Sequence, residues 1–238
     1  MMTEMLLGGI QKNSMIDYPG KVSCVLFFSG CNFNCPYCHN PELAKGCPDT
    51  CPYFSEENKV YDFLEERRGF LDGVVISGGE PTLHKNELFA LCEKIKNMGY
   101  PVKLDTNGSR PRVIRELLDR KLVDYLAMDI KTDPLHYSPL IAKDCDPEDI
   151  LSSIHIIMSS GLPYEFKTTC IRQLVSESVI ESISRHIKGA RLYALQQFRK
   201  HEVLDPQFFQ DHECCYGDDE LEHLKAVAEP HVRKCIVR

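Results

Sequence analysis

Three cysteines on one short stretch, Cys31, Cys35 and Cys38, form a C-x-x-x-C-x-x-C pattern directly after an apolar run that is typical of a strand. Thiolates on one loop can hold three corners of a cubane iron–sulfur cluster. The loop supplies no fourth cysteine, which would leave one iron open to another ligand. An open iron indicates catalysis rather than simple electron transfer.

Zinc is the alternative metal for this loop. His39 follows the third cysteine, and zinc accepts mixed thiolate and imidazole ligands. Zinc knuckles, however, usually supply their cysteines as C-x-x-C pairs. Here an aromatic residue, Tyr37, lies between the last two cysteines, and Gly78-Gly79-Glu80-Pro81 follows the next strand-like run. This combination favours the iron–sulfur cluster over zinc.

The combined pattern resembles the radical S-adenosylmethionine (radical SAM) enzymes. In that superfamily the open iron is chelated by the amino and carboxylate groups of S-adenosylmethionine, so the resemblance implies both a 4Fe-4S cluster and that cofactor. It places Tyr37 near the adenine and Gly78, Gly79 and Glu80 at the amino end of the cofactor. It also implies reductive cleavage of the cofactor to methionine and a 5′-deoxyadenosyl radical, with no protein general base required.

Two further strand ends carry candidate residues. The run 105–108 and the Asp129-x-Lys131 motif resemble strand ends of glycyl-radical activating enzymes, where acidic residues help organise the cofactor carboxylate, in some members through a monovalent cation. By that resemblance Asp105, Asp129 and Lys131 are cofactor-binding candidates. Each motif alone could be a turn, a cap or a solvated ion pair. Their joint placement at the ends of successive predicted strands favours a functional role.

The fold class predicted from periodicity is α/β, because short β-rich apolar runs alternate with amphipathic helical stretches. Predicted strands cover 22–29, 73–77, 102–106, 125–130, 165–171 and 191–198. Predicted helices cover 58–66, 85–98, 111–120, 147–159 and 176–187. Six βα units predict an incomplete barrel, and the resemblance independently implies the partial (β/α)6 TIM-like barrel of radical SAM enzymes. Active sites of such sheets lie at the carboxyl ends of the strands.

Length and composition predict a single domain. The resemblance implies that it is a radical SAM domain over 1–238, with a cysteine-containing insertion near 44–54 and a C-terminal extension near 199–238. The 238 residues, 43% of them hydrophobic, are enough for one large core. A formal charge of -7 disfavours nucleic acid as a partner. The sequence shows neither an export signal nor a membrane-spanning stretch, so we expect a cytoplasmic protein with reduced thiols and no membrane contact.

A narrower resemblance rests on residues 11–21, 38–43 and 79–83, which are similar to the activating proteins of anaerobic ribonucleoside-triphosphate reductases in their longer form. It implies a glycyl-radical enzyme as partner, whose glycine α-carbon would lose a hydrogen atom. It also implies an external electron donor such as flavodoxin or ferredoxin.

Other functions stay open beside this one. The partner could be of the pyruvate formate-lyase type. The chain could instead be a radical enzyme acting on a small molecule, such as a deazaguanine-forming synthase. A non-enzymatic iron–sulfur or zinc module is the third class, although such a module has no use for the Gly-Gly-Glu loop.

Four further cysteines could bind zinc or a second cluster: Cys47, Cys51, Cys214 and Cys215. Adjacent cysteines are awkward ligands for one centre, and the sequence does not bring the two pairs together. Cys24, Cys92 and Cys170 lie in apolar patterns and are expected in the core.

Overall fold

The computed structural model describes residues 7–46, 57–137, 139, 141–142, 145–199, 203–209 and 213–238. The strands found in these residues are β1 (Leu7–Ser14), β2 (Ser23–Phe28), β3 (Gly73–Gly78), β4 (Val102–Thr106), β5 (Tyr125–Asp129), β6 (Tyr164–Cys170), β7 (Tyr193–Gln197) and β8 (Cys235–Val237). The α-helices are α1 (Pro41–Lys45), α2 (Glu57–Glu66), α3 (Lys85–Asn97), α4 (Pro111–Asp119), α5 (Pro147–Ser159), α6 (Glu177–His186) and α7 (Asp218–Ala228).

The order of elements confirms six successive βα units, beginning at β2 and ending with α7. Neighbouring strands follow chain order. Pairing is parallel between β2 and β3, β3 and β4, β6 and β7, and β7 and β8. Parallel pairing brings the carboxyl ends of the paired strands to the same edge of a sheet.

Two strands were not predicted from periodicity. Strand β1 pairs antiparallel with β2, and three consecutive exposed residues, 11–13, interrupt the apolar alternation that would have revealed it. Strand β8 has three residues and pairs with β7. Pairing with a neighbouring strand defines both β1 and β8, and the hydrophobic pattern of their own residues does not.

Local sequence explains where α5 and α6 begin. Asp146 precedes α5 and its carboxylate accepts a hydrogen bond from the backbone N–H of Glu148, while Pro147 occupies the first helical position. Ser176 caps α6 in the same way through the N–H of Val179. Such caps satisfy backbone donors that the helix itself leaves without partners.

The chain divides into two compact units. The first contains the described residues of Met1–Asn32, Asn40–Thr106 and Arg112–Leu126, and the second those of Phe33–His39, Asn107–Pro111 and Ala127–Arg238. The single-domain boundaries stay a prediction, and residues 47–54 of the predicted insertion lie outside the described part of the chain. Strands β2 and β3 are almost wholly apolar and buried, as expected of parallel strands covered on both faces.

None of the described helices has the length and apolar character needed to cross a membrane.

Candidate active site

In the first unit, the cysteine loop begins where β2 ends, and the short helix α1 holds its first residues. The backbone N–H of Gly30 donates to Leu43 O at 2.7 Å, and that of Cys31 donates to Ala44 O at 3.2 Å. Cys31 is half-buried. The backbone leading into the first cysteine is therefore fixed by hydrogen bonds on both of these residues.

The glycines Gly78 and Gly79 lie against this same backbone. A Cβ on Gly78 would lie 2.3 Å from the backbone of Phe28, and one on Gly79 would lie 2.0 Å from Gly30 O. The N–H of Gly79 donates to Phe28 O, and the N–H of Glu80 donates to Gly30 O, both at 2.8 Å. Only glycine allows the two loops to approach so closely.

Glu80 carries a carboxylate that is fully buried in the first unit. Its Oε1 accepts hydrogen bonds from the backbone N–H of Thr82 at 3.1 Å, from the Thr82 hydroxyl at 2.5 Å and from the Thr106 hydroxyl at 2.8 Å. A buried carboxylate needs such donors to be stable. Oε1 therefore ties the loop after β3 to the end of β4, a role that the sequence interpretation did not assign to these threonines.

His84 is a further residue that the sequence interpretation did not assign to the site. Its Nε2 lies 2.8 Å from Ser29 O, and its ring stacks on Phe28 with a centroid distance of 5.7 Å. Both contacts are made at the point where β2 enters the cysteine loop. No periodic or motif signal distinguishes this histidine, because its hydrogen-bond partner Ser29 lies 55 positions earlier in the chain.

Asp105 has a cationic partner within its own strand. The ammonium of Lys103 lies 2.5 Å from Asp105 Oδ1, and the lysine side chain is only 3% exposed. The same ammonium lies 5.8 Å from the centroid of the Tyr125 ring. Alternate residues of a strand face the same side, which explains why the pair meets.

In the second unit, the other half of the cysteine loop forms a tight turn in which the N–H of Cys38 donates to Cys35 O at 3.0 Å. The chain beyond β7 holds this turn, because Leu204 N donates to Cys38 O and Asp205 N donates to Pro36 O, both at 3.0 Å. Part of the predicted C-terminal extension is thus a support for the cysteine loop.

Aromatic side chains surround this turn. Tyr37 is 5% exposed and packs edge-on against Phe198, with centroids 6.4 Å apart. His39 stacks on the same ring at 5.4 Å, and its Nε2 lies 3.0 Å from Arg199 O. Burial raises the pKa of the Tyr37 hydroxyl well above its usual value, so the group stays neutral.

Asp129 lies between two ammonium groups in the second unit. Its Oδ2 is 3.3 Å from Lys131 Nζ and its Oδ1 is 3.6 Å from Lys167 Nζ. Burial opposes the charged form of Lys131, but Asp129, Cys35 and Tyr137 outweigh burial and raise its pKa. The Asp129 cluster, which we define as Asp129, Lys131 and Lys167, therefore brings two lysine side chains to one carboxylate.

Cys35 lies close to this positive charge. Burial raises the pKa of its thiol to about 11, and Lys131 opposes that effect. A thiol so buried is a poor nucleophile, but it becomes a good ligand when iron takes the place of its proton.

The zinc interpretation finds no support in the described residues. Among these residues, no group of three or more histidine, cysteine or carboxylate side chains could hold a single metal ion. His39 is engaged with Phe198 and Arg199 instead.

The predicted second metal site is not shown either. Cys47 and Cys51 lie outside the described residues. Cys214 and Cys215 have their sulfurs 3.6 Å apart, and they belong to no metal-like group among the residues described.

The donor set fits a 4Fe-4S cluster in its chemistry. A cubane takes each thiolate at a separate iron, so three soft sulfur ligands need not converge on one point as they must for a single ion. Cys31, Cys35 and Cys38 would supply these ligands.

Comparison with known proteins supports the resemblance to radical SAM enzymes. The model of the radical SAM superfamily matches residues 25–183. A Methanocaldococcus jannaschii protein named for glycyl-radical enzyme activation is 36% identical over 237 residues, covering 98% of this chain and 95% of its own. A pyruvate formate-lyase-activating enzyme of Listeria monocytogenes is 30% identical and covers 68% of both chains.

Two further matches, one in sequence and one in structure, are more distant. A 7-carboxy-7-deazaguanine synthase of Thermococcus kodakarensis is 26% identical and covers 77% of each chain. A domain of a pyruvate-formate lyase-activating enzyme from Bacteroides vulgatus has a TM-score of 0.55 at 18% identity, covering 70% of this chain and 98% of its own.

This chain belongs to the radical SAM superfamily and, within it, to the family of glycyl-radical enzyme activating enzymes. The α/β prediction with a parallel sheet is confirmed, and the structural neighbours are consistent with the partial barrel. The chain is accordingly a radical SAM enzyme, and its family implies a 4Fe-4S cluster and S-adenosylmethionine.

Proposed function

We propose that this enzyme forms a glycyl radical on an anaerobic ribonucleoside-triphosphate reductase. The observation that carries the proposal is the match to a glycyl-radical activator along almost the full length of both chains. The resemblance of residues 11–21, 38–43 and 79–83 to the activators of these reductases selects the partner. Flavodoxin or ferredoxin would supply the electron.

When bound, the cluster and S-adenosylmethionine supply the one-electron chemistry that removes a hydrogen atom from glycine. The chain's own residues hold and orient them. Cys31, Cys35 and Cys38 would ligate the cluster, and Lys131 would pair with the cofactor carboxylate through charge and hydrogen bonding.

The remaining proposed contacts are held in place by the packing described above. The backbone of Gly78, Gly79 and Glu80 would face the amino end of the cofactor, while the Glu80 carboxylate fixes the loop through Thr82 and Thr106. Tyr37 would lie near the adenine, where its contact with Phe198 helps to exclude water. Asp105 and Asp129 would set the positions of Lys103 and Lys131 by ion pairing.

The test is electron paramagnetic resonance on anaerobic mixtures of the reconstituted enzyme, S-adenosylmethionine, a reductant and a candidate partner. With the reductase we expect a glycyl-radical doublet, and no doublet with a reductase whose radical glycine is replaced by alanine. A doublet with a pyruvate formate-lyase, and none with the reductase, would reassign the partner.

The relative named as a 7-carboxy-7-deazaguanine synthase supports a second candidate, chemistry on a small molecule. Formation of 7-carboxy-7-deazaguanine by the same preparation, without any glycyl radical, would replace the proposal by this one.

A further inference from the structure

Cys214 and Cys215 are consecutive residues just before α7, and their sulfur atoms are 3.6 Å apart. No disulfide joins any two of the described cysteines. Two thiols in contact can exchange with a disulfide without any large movement of the chain. We propose that this pair is a reversible modification site that takes a small-molecule disulfide and closes to a disulfide between neighbouring residues.

The two thiols differ in access. Cys214 is 5% exposed, whereas Cys215 is only half-buried. Cys215, as its thiolate, attacks the small disulfide, which forms a mixed disulfide and releases one small thiolate. Cys214 then attacks the Cys215 sulfur and releases the second small thiol. The pair loses two protons and two electrons, and the small disulfide is reduced to two thiols.

Both carbonyl groups of the pair are bound to the same residue. Arg172 donates its backbone N–H to Cys214 O at 3.2 Å and its Nε–H to Cys215 O at 2.9 Å. Ile171 and Cys215 also form an isolated antiparallel bridge. The thiol pair is therefore joined to the residues that directly follow β6.

Closing the ring must disturb these contacts. Consecutive Cα atoms lie about 3.8 Å apart across a trans peptide. Disulfides usually join Cα atoms about 4.4 to 6.8 Å apart. The peptide between the two cysteines must therefore turn, which moves its carbonyl off Arg172. Ring strain also makes such a bond easy to reduce, as a reversible site requires.

The effect reaches the candidate active site along β6. Arg172 stacks on Tyr216 at 4.4 Å and pairs with Glu220, so it links the residues after β6 to the start of α7. Lys167, in the same strand, contacts Asp129. Oxidation of the thiol pair should loosen this end of β6 and slow turnover.

The test uses the full chain with its cluster reconstituted, treated anaerobically with glutathione disulfide. We expect intact-protein and peptide mass spectrometry to show loss of two hydrogens on the peptide that holds both cysteines. The rate of 5′-deoxyadenosine formation, measured without a partner, should fall about tenfold, since small displacements of positioned groups cost that much or more. A dithiol should restore both the mass and the rate, and the visible absorbance of the cluster should not change.

Single variants separate the two steps. Cys214→Ser should stop at a stable mixed disulfide on Cys215, because the resolving thiol is absent. Cys215→Ser should leave Cys214 unmodified and the rate unchanged by glutathione disulfide. The matched control is Cys145→Ser, which removes another half-buried thiol and should respond as the wild type does.

Three results would overturn the proposal. The first is a pair that stays fully alkylatable after treatment. The second is an internal disulfide that forms without any change in rate. The third is a wild-type protein that binds one equivalent of zinc, or of iron beyond the cluster, when both serine variants lack that metal. The two cysteines would then be metal ligands. None of these readouts needs a glycyl-radical partner, so they stand apart from the test of the proposed function.

Discussion

The hydroxyl of Thr106 donates a 2.8 Å hydrogen bond to Oε1 of Glu80, which joins the last residue of β4 to the loop after β3. Glu80 is fully buried, and Thr82 supplies two further donors to the same oxygen. The glutamate of the Gly-Gly-Glu motif is thus an organising residue for the loop. Any contact of this loop with the cofactor depends on that organisation.

Replacing Thr106 by valine should destabilise the protein, because one donor to a buried carboxylate is lost while the size and shape of the side chain are kept. Hydrogen bonds to charged groups contribute about 1.5–3 kcal/mol, and we expect a loss of that order in the free energy of unfolding. Thr106→Ser keeps the hydroxyl and is the control. Anaerobic denaturant titrations measure the free energy of unfolding of both variants. Equal stability of the two would contradict the role given to the hydrogen bond between Thr106 and Glu80.

Replacing Lys131 by methionine should weaken binding of S-adenosylmethionine, because the Asp129 cluster loses a buried ammonium. We expect the KM for the cofactor to rise about tenfold or more, as for loss of a charge-assisted hydrogen bond. Lys96→Met is the matched control, since Lys96 pairs with Asp124 at 2.6 Å in a partly exposed position. Equal KM values for S-adenosylmethionine in the two variants would show that Lys131 does not contribute to binding the cofactor.

Alanine at Cys31, Cys35 or Cys38 should abolish the cluster, since each removes one of three proposed ligands. Cys92→Ala, which removes a fully buried thiol in α3, should keep it. Iron and sulfide content after anaerobic reconstitution, with the visible spectrum, gives the comparison. A normal cluster in any of the three loop variants would show that another residue supplies the ligand.

Stability should fall above about pH 9 in a way that depends on Cys92. Burial, followed by the nearby Glu93 and Asp124, raises the pKa of this thiol from 9.0 to about 12. As pH rises, the Cys92 thiol therefore loses its proton at a lower pH in the unfolded chain than in the folded protein. The stability that the neutral Cys92 thiol contributes to the folded protein is complete below pH 9 and is lost as pH rises towards 12.

The measurement is the difference in unfolding free energy between wild type and Cys92→Ala as a function of pH. Below pH 9 the difference should be constant, and above it the difference should shrink by up to about 1.4 kcal/mol per pH unit. A difference that stays constant up to pH 11 would contradict the raised pKa.

The sequence predicted the six βα units and the strand ends that carry the motifs, because buried parallel strands are strongly apolar and well separated. The cysteine spacing and the Gly-Gly-Glu run are local patterns, so they could be recognised without a structure. Asp105 and Asp129 were named as candidates from the same kind of pattern, and their cofactor-binding role stays a prediction; Asp129 is the last residue of β5 and Asp105 the last but one of β4.

The partners of these residues could not be predicted in the same way. Thr106 reaches Glu80 across 26 positions, and His84 reaches Ser29 across 55. Lys167 meets Asp129 only because β6 follows β5 in the fold. Antiparallel β1 has exposed polar residues where an apolar alternation would have revealed it, and pairing with β2 defines it instead.

The most direct test of the account is the yield of 5′-deoxyadenosine from S-adenosylmethionine after anaerobic reconstitution with iron and sulfide and reduction with dithionite. Wild type and Cys92→Ala should form the product, and Cys35→Ala should form none. No product from wild-type protein that holds a reduced 4Fe-4S cluster, or equal product from Cys35→Ala, would contradict the assignment of this loop as the centre of a radical SAM enzyme.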